Sequence, residues 1–255
     1  LPAVKRIGEV FGGQYIYHNE TEWLTRSVHS YNELETLLDQ VERMDLRAFM
    51  LPENWEKEKR RVHECYGIRP ALMRHIRGPV TLACSIMGTE QFLFLIIDEP
   101  DLARRFSHVI TKVTLEMAAI MDEEAGTDAV QQPGFSFADD NCCLLSPPMY
   151  ELFGYPVLKE VFARYSPGPE DKRYQHSDSA MGHLLPLLGS LQLNGVNFGP
   201  TVLIPEIRKH LPRARIDGCL SPMTFMRNDR EGILREVQRD LKDALVHNGV
   251  NISTA

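Results

Sequence analysis

His176 and Asp178 are the two residues of this sequence whose types and spacing are best suited to chemistry. They lie at the end of a strand-like run over residues 173–178, and residues i and i+2 of a strand point to the same side. An imidazole and a carboxylate in one cavity could bind a metal such as zinc together, or could transfer a proton. Because His-x-Asp is a common pattern, it is the placement at a strand end that favours a functional role.

A second polar cluster, Asp139 and Asp140, follows another strand-like run over residues 129–137. Two adjacent carboxylates are costly to bury together unless one of them is paired, protonated or solvated. One of them could orient a substrate or the histidine. The pair could equally cap a helix or lie in a loop, and the sequence leaves both interpretations open.

Two further residues lie near the ends of predicted strands. Ser85 belongs to a run over residues 81–86 and is a candidate for contacting a substrate. Cys219 follows the run 213–218 and is a candidate third metal ligand beside His176 and Asp178. A cysteine is more often a small apolar filler, so this assignment carries the least support.

These residues must be positioned by elements that alternate along the chain. Strand-like runs are predicted at residues 81–86, 129–137, 173–178, 195–199, 213–218 and 249–254, and helices at 98–125, from Ser146 with a bend or break at Pro156, at 181–193, 203–211 and 229–246. Such alternation predicts a parallel sheet covered by helices. No glycine-rich phosphate-binding motif supports a nucleotide-binding doubly wound fold, so a barrel is favoured. In a barrel the carboxyl ends of the strands meet at one mouth.

The N-terminal residues 1–77 show a less regular pattern, with a turn or hairpin around Gly12-Gly13, a helix from Ser30 and a charged helix over 55–66. Residues 78–255 form the regular β/α units, and the whole chain is predicted to be one domain. The net charge of −7 argues against nucleic acid as a partner. Five scattered cysteines and no long apolar run predict a cytoplasmic protein that spans no membrane. A small-molecule substrate is expected, and a homodimer is left open.

Several motifs, taken in order, resemble those of the uroporphyrinogen decarboxylase and cobamide methyltransferase superfamily. They are Gly78-Pro79-Val80-Thr81-Leu82, Asp139-Asp140, the segment from Leu145 to Tyr150 with Pro156, His176-Ser177-Asp178 with the leucine-rich segment 184–188, and Arg215-Ile216-Asp217-Gly218. The resemblance implies a TIM-type (β/α)8 barrel. The family's first two strands would precede Leu1, so the chain would lack them and contain strands three to eight.

The resemblance implies two chemistries. The decarboxylases remove carboxyl groups from uroporphyrinogen without a cofactor, using N-terminal arginines and a tyrosine whose position is held here by Ser85. The methyltransferases take a methyl group from a corrinoid carried by a partner protein and bind zinc through His-x-Cys and a later cysteine. His176 matches the first ligand, while Asp178 replaces the cysteine.

We therefore expect a corrinoid-linked, methyltransferase-like enzyme that acts at the barrel mouth. Uroporphyrinogen decarboxylase is the alternative. A barrel that binds a tetrapyrrole or a corrinoid protein without catalysis is the third interpretation.

Overall fold

The computed structural model describes residues 3–18, 20–69, 72–74, 76–246 and 248–255. Leu1 and Pro2, which begin the N-terminal part predicted to be irregular, lie outside the described residues. No single helix in these ranges is long and apolar enough to cross a membrane, although two consecutive helices bent by 106°, Pro79–Met87 and Thr89–Asp98, meet the length and composition criteria together.

The N-terminal part contains four helices and one hairpin among its described residues. The helices are α1 (Ile7–Val10), α2 (Tyr31–Glu42), α3 (Leu46–Met50) and α4 (Trp55–Tyr66), and the strands are β1 (Tyr15–His18) and β2 (Thr21–Leu24). The helix predicted from Ser30 is confirmed, and the Ser30 side chain caps it by accepting a hydrogen bond from Glu33 N. The hairpin is antiparallel and pairs Tyr15 with Leu24, so Gly12-Gly13 precede the hairpin and do not form its turn.

A buried carboxylate ties this part to the helices around the sheet. Glu124, in a long helix over residues 100–125, accepts hydrogen bonds from Trp55 Nε1 and Lys59 Nζ, both at 2.7 Å, and forms an ion pair with Arg47. A buried charge is tolerated where it is paired and hydrogen-bonded in this way. The core is also continuous, since Phe11 packs edge-on against Phe106 at 5.7 Å.

The described residues contain one six-stranded parallel sheet. Its strands are β3 (Ile76–Arg77), β4 (Phe135–Ala138), β5 (Arg173–Ser177), β6 (Gly195–Phe198), β7 (Arg215–Leu220) and β8 (Val250–Thr254), and they pair in sequential order. Sequential parallel strands separated by helices are the arrangement of a TIM-type barrel. The predicted fold class is therefore confirmed, with six of the usual eight strands present among the described residues.

The helices that separate these strands are α5 (Pro79–Met87), α6 (Thr89–Asp98), α7 (Pro100–Ala125), α8 (Pro147–Tyr165), α9 (Leu185–Ser190), α10 (Ile204–His210), α11 (Pro222–Met226) and α12 (Arg230–Ala244), and 3-10 turns cover Asp140–Leu144 and Gly182–Leu184. A bend or break was predicted at Pro156, and α8 is not broken there. Ser107 Oγ of α7 donates to Phe153 O at 2.6 Å, so packing supports the backbone in the turn before the proline.

The predicted strand over residues 81–86 was wrong, because these residues form α5. Its side chains are almost all buried, and a short apolar run that is buried on every side looks the same in sequence whether it is a strand or a helix. Pro79 in the first turn favours the helix. The first strand of the sheet is instead the two-residue β3, which ends just before Gly78.

Candidate functional site

His176 lies at the carboxyl end of β5, where its ring is held by Asn197 of the neighbouring strand. The ring atom Nδ1 is 2.6 Å from Asn197 Oδ1, and the two residues are in register between β5 and β6. The amide nitrogen Nδ2 of Asn197 donates to Asp217 O at 2.7 Å and to Thr254 O at 3.3 Å. Since that nitrogen must be the donor, the amide oxygen accepts and His176 Nδ1 carries the hydrogen. In neutral His176, Nε2 therefore keeps its lone pair.

The free nitrogen of His176 faces Asp140 across the strand ends. Its Nε2 lies 3.6 Å from Asp140 Oδ1, and this oxygen also accepts a hydrogen bond from Asp178 N at 3.2 Å. Burial raises the pKa of the Asp140 carboxyl, and the Asp178 hydrogen bond and the charges of His176 and Arg77 act in the opposite direction. An imidazole nitrogen with a lone pair beside a carboxylate can accept a proton and keep it.

Asp178 takes part in the site mainly through its backbone. The strand ends at Ser177, and the Asp178 side chain is exposed to solvent, where Oδ1 accepts from Ser179 Oγ at 3.4 Å. The backbone carbonyl of Asp178 packs so closely against Gly199 that a Cβ at Gly199 would lie 2.2 Å from it. Of the two carboxylates, it is therefore Asp140 that lies beside His176, and Asp178 contributes the backbone N–H that donates to Asp140.

Asp139 points away from His176 and into the amino end of α5. Its fully buried carboxylate accepts from Thr81 N at 2.7 Å and from Val80 N at 3.4 Å. Both N–H groups belong to the first turn of the helix and have no partner within it. The carboxylate accepts their hydrogen bonds, and its negative charge complements the helix dipole. Burial nevertheless raises the pKa of Asp139 to about 6. Each of the two roles that the sequence left open for the acidic pair therefore belongs to one residue. Asp139 caps a helix, and Asp140 lies beside His176 in the site.

Ser85 and Cys219 make no hydrogen bond or ion pair with this group in the described residues. Ser85 lies on α5, not at a strand end, and its Oγ donates to Thr81 O at 2.8 Å. Cys219 is buried in β7 against α12, with its backbone N donating to Asp240 Oδ2 at 3.3 Å, and burial raises its pKa to about 12. Within the described ranges, no group of three or more His, Cys, Asp or Glu side chains could hold a metal ion.

Sequence reasoning missed two functional candidates, Asn197 and Arg77. Asn197 lies within the predicted strand over residues 195–199 and pairs in register with His176, which is a signal that strand alignment could have used. Arg77 directly precedes Gly78-Pro79 and ends β3. Arg77 and Asp140 line one cavity of about 240 Å³. Another, larger cavity of about 750 Å³ lies beside α6, and none of the predicted site residues lines it.

We expect Asn197→Leu to change which ring nitrogen of His176 carries the hydrogen. Leucine has a similar size but can neither accept from Nδ1 nor donate to the two carbonyls, so the preference for the Nδ1–H form is lost. The ¹⁵N chemical shifts of the His176 ring would report this change. His183 is an internal control, because its Nε2 lies 2.8 Å from Leu145 O and must carry the hydrogen. Identical His176 shifts in wild type and variant would contradict the assignment.

Comparison with known proteins relates the chain to one family. The family model described as uroporphyrinogen decarboxylase (URO-D) matches residues 28–252. A methyltransferase from Methanosarcina mazei has a similar structure, with a TM-score of 0.63, 17% identity, and coverage of 100% of this chain and 73% of that one. Such low identity shows a shared fold alone. Comparison with curated protein sequences gave no match. Because the family model covers most of the sequence, the chain belongs to the uroporphyrinogen decarboxylase family.

Proposed function

We propose that this chain is a methyltransferase-type member of the family in which His176 accepts the proton of the methyl acceptor. The observation that carries the proposal is the free Nε2 of His176, which faces Asp140 at the carboxyl ends of the strands. Active sites of TIM-type barrels lie at this end. The shared fold with a methyltransferase supports the choice of reaction.

The chemistry assigned to the chain is a proton transfer followed by release of a nucleophile. A thiol or hydroxyl acceptor donates its proton to His176 Nε2. The deprotonated acceptor would then attack the methyl carbon, and the bond between that carbon and the methyl donor would break with its electron pair left on the donor. The nearby Asp140 carboxylate stabilises the imidazolium that forms. The methyl donor in this proposal is a methylated corrinoid that a partner protein brings to the mouth.

Zinc does not fit the side chains of the described site. His176 Nε2 and Asp140 Oδ1, 3.6 Å apart, could both contact one ion. Catalytic zinc sites use three protein ligands, and Cys219 lies against α12 instead. Among the described residues no third His, Cys, Asp or Glu completes a set. We therefore assign the activation of the acceptor to His176 as a base.

The test compares two substrates with the same purified chain. Methylcobalamin is incubated with a small thiol such as 2-mercaptoethanol, and loss of the methyl group is followed by the corrinoid absorption spectrum. Uroporphyrinogen is incubated separately, and coproporphyrinogen is measured by chromatography. We expect demethylation that depends on the folded chain. Coproporphyrinogen formation without demethylation would replace the proposal by a decarboxylase, and corrinoid binding without turnover of either substrate would replace it by a non-catalytic barrel.

A further inference from the structure

Arg77 is a cation at the barrel mouth whose hydrogen-bond donors have no partner among the described residues. Its guanidinium makes no hydrogen bond or ion pair with any described residue, and its Nε is buried without a partner. A buried donor that is left unsatisfied costs about 1–3 kcal/mol, and more when the group is charged. Natural proteins rarely retain such a group unless something else, such as a ligand, satisfies it.

The neighbouring acidic groups do not serve as its partners. Glu22 uses both carboxylate oxygens for Arg6, at 2.6 and 2.7 Å, and the Arg6 guanidinium also lies 3.3 Å from the centre of the Tyr15 ring. Asp140 uses Oδ1 for Asp178 N. Arg77 is close enough to lower the pKa of the Glu22 and Asp140 carboxyls but bonds to neither. Arg6 is therefore satisfied and Arg77 is not.

Arg77 lines a space of suitable size beside the reactive pair. The cavity of about 240 Å³ is lined by Arg6, Tyr15, Glu22, Arg77 and Asp140, among others. Asp140 lines this cavity and also lies beside His176, because its Oδ1 is 3.6 Å from His176 Nε2. A group that fills this cavity would lie next to the proton acceptor.

We propose that Arg77 binds a carboxylate of the substrate and so holds the methyl acceptor beside Asp140 and His176. The planar guanidinium matches a carboxylate with two parallel hydrogen bonds. A phosphate could offer similar oxygens, but Glu22 and Asp140 already line the cavity and repel a dianion more strongly than a monoanion. The inference rests on the proposed function for the identity of the reaction, and anion binding itself can be measured without turnover.

The test uses acetate and inorganic phosphate as probes with the complete chain. Each is titrated while the Nε–H signals of the arginines are followed by ¹H–¹⁵N NMR, and Arg77→Lys identifies the signal of interest by its loss. We expect acetate to shift the Arg77 signal saturably. Since Arg77→Gln and Arg77→Lys lack that signal, backbone amides of Gly78 and Asp140 report binding in the variants.

In Arg77→Gln we expect the acetate response to be lost, and in Arg77→Lys, which keeps the charge without the planar fork, we expect it to be at least about tenfold weaker. Arg104→Gln is the matched control, because Arg104 is an exposed arginine whose one ion-pair partner among the described residues is Asp101. This variant should bind acetate as the wild type does. Absence of a saturable shift, or binding that persists in Arg77→Gln, would overturn the proposal. Tighter binding of phosphate than of acetate would overturn the carboxylate assignment. If the wild-type chain binds acetate through Arg77 but shows no methyl transfer in the separate assay, only the proposed reaction would be refuted.

Discussion

We expect His176→Ala to lower the rate of methyl transfer by about 10²–10⁴-fold, the range that a positioned general base contributes. The alanine removes the only atom in the described site that combines a free lone pair with a neighbouring carboxylate, Nε2 beside Asp140. The acceptor must then lose its proton to water. The fold should persist, because the ring is 30% exposed and contributes little to the core. Initial rates with methylcobalamin and a thiol measure the effect.

The matched control is His63→Ala, since His63 is an exposed histidine on α4 and does not line the cavity beside Asp140. It should leave the rate unchanged. Added imidazole should restore part of the methyl-transfer activity of His176→Ala. It should not raise the activity of His63→Ala. Undiminished methyl transfer in His176→Ala would remove the basis of the proposed function.

We expect Asp139→Asn to abolish a decrease in stability that the wild-type chain shows as the pH rises. Burial raises the pKa of Asp139 from 3.8 to about 6, so the folded chain holds this proton more tightly than the unfolded chain does. The contribution to the free energy of unfolding is therefore complete below pH 3.8 and is lost as the pH rises through about 6. At about 1.4 kcal/mol for each pKa unit, the loss is about 3 kcal/mol.

Urea unfolding of both proteins at several pH values between about 4 and 7 measures this difference. Asparagine keeps an oxygen for Thr81 N, so the stronger of the two cap hydrogen bonds is preserved in the variant. Equal m-values for the two proteins would show that both expose the same surface on unfolding, so that the difference in pH dependence belongs to the Asp139 carboxyl. Parallel curves for Asp139→Asn would show that the Asp139 carboxyl does not titrate in this way.

The regular part of the fold could be predicted from the sequence, and the beginning of the sheet could not. The strands β5 to β8 were placed within one or two residues because each short strand-like run is bounded by turn residues or by an amphipathic helix. The first strand was misplaced because β3 has only two residues, and the apolar run after it is a buried helix. Length and periodicity carry no information about such a short strand.

The candidate site was only partly predictable for a related reason. Alternation along one strand paired His176 with Asp178, but β5 ends at Ser177, and the carboxylate beside the imidazole comes from the 3-10 turn that follows β4. Asp140 and His176 are brought together by the parallel pairing of Ala138 with His176. That register depends on how the intervening helix α8 packs, which no local pattern specifies.

The contact between His176 and Asn197 has a stereochemical consequence. A side-chain amide neither releases nor takes up protons at ordinary pH, so Asn197 cannot act as a proton donor or acceptor for Nδ1. Proton transfer between His176 and a substrate therefore takes place at Nε2. In the proposed reaction the methyl acceptor therefore hands over its proton on the Asp140 side of the ring, and every turnover brings the acceptor to the ring from that one side.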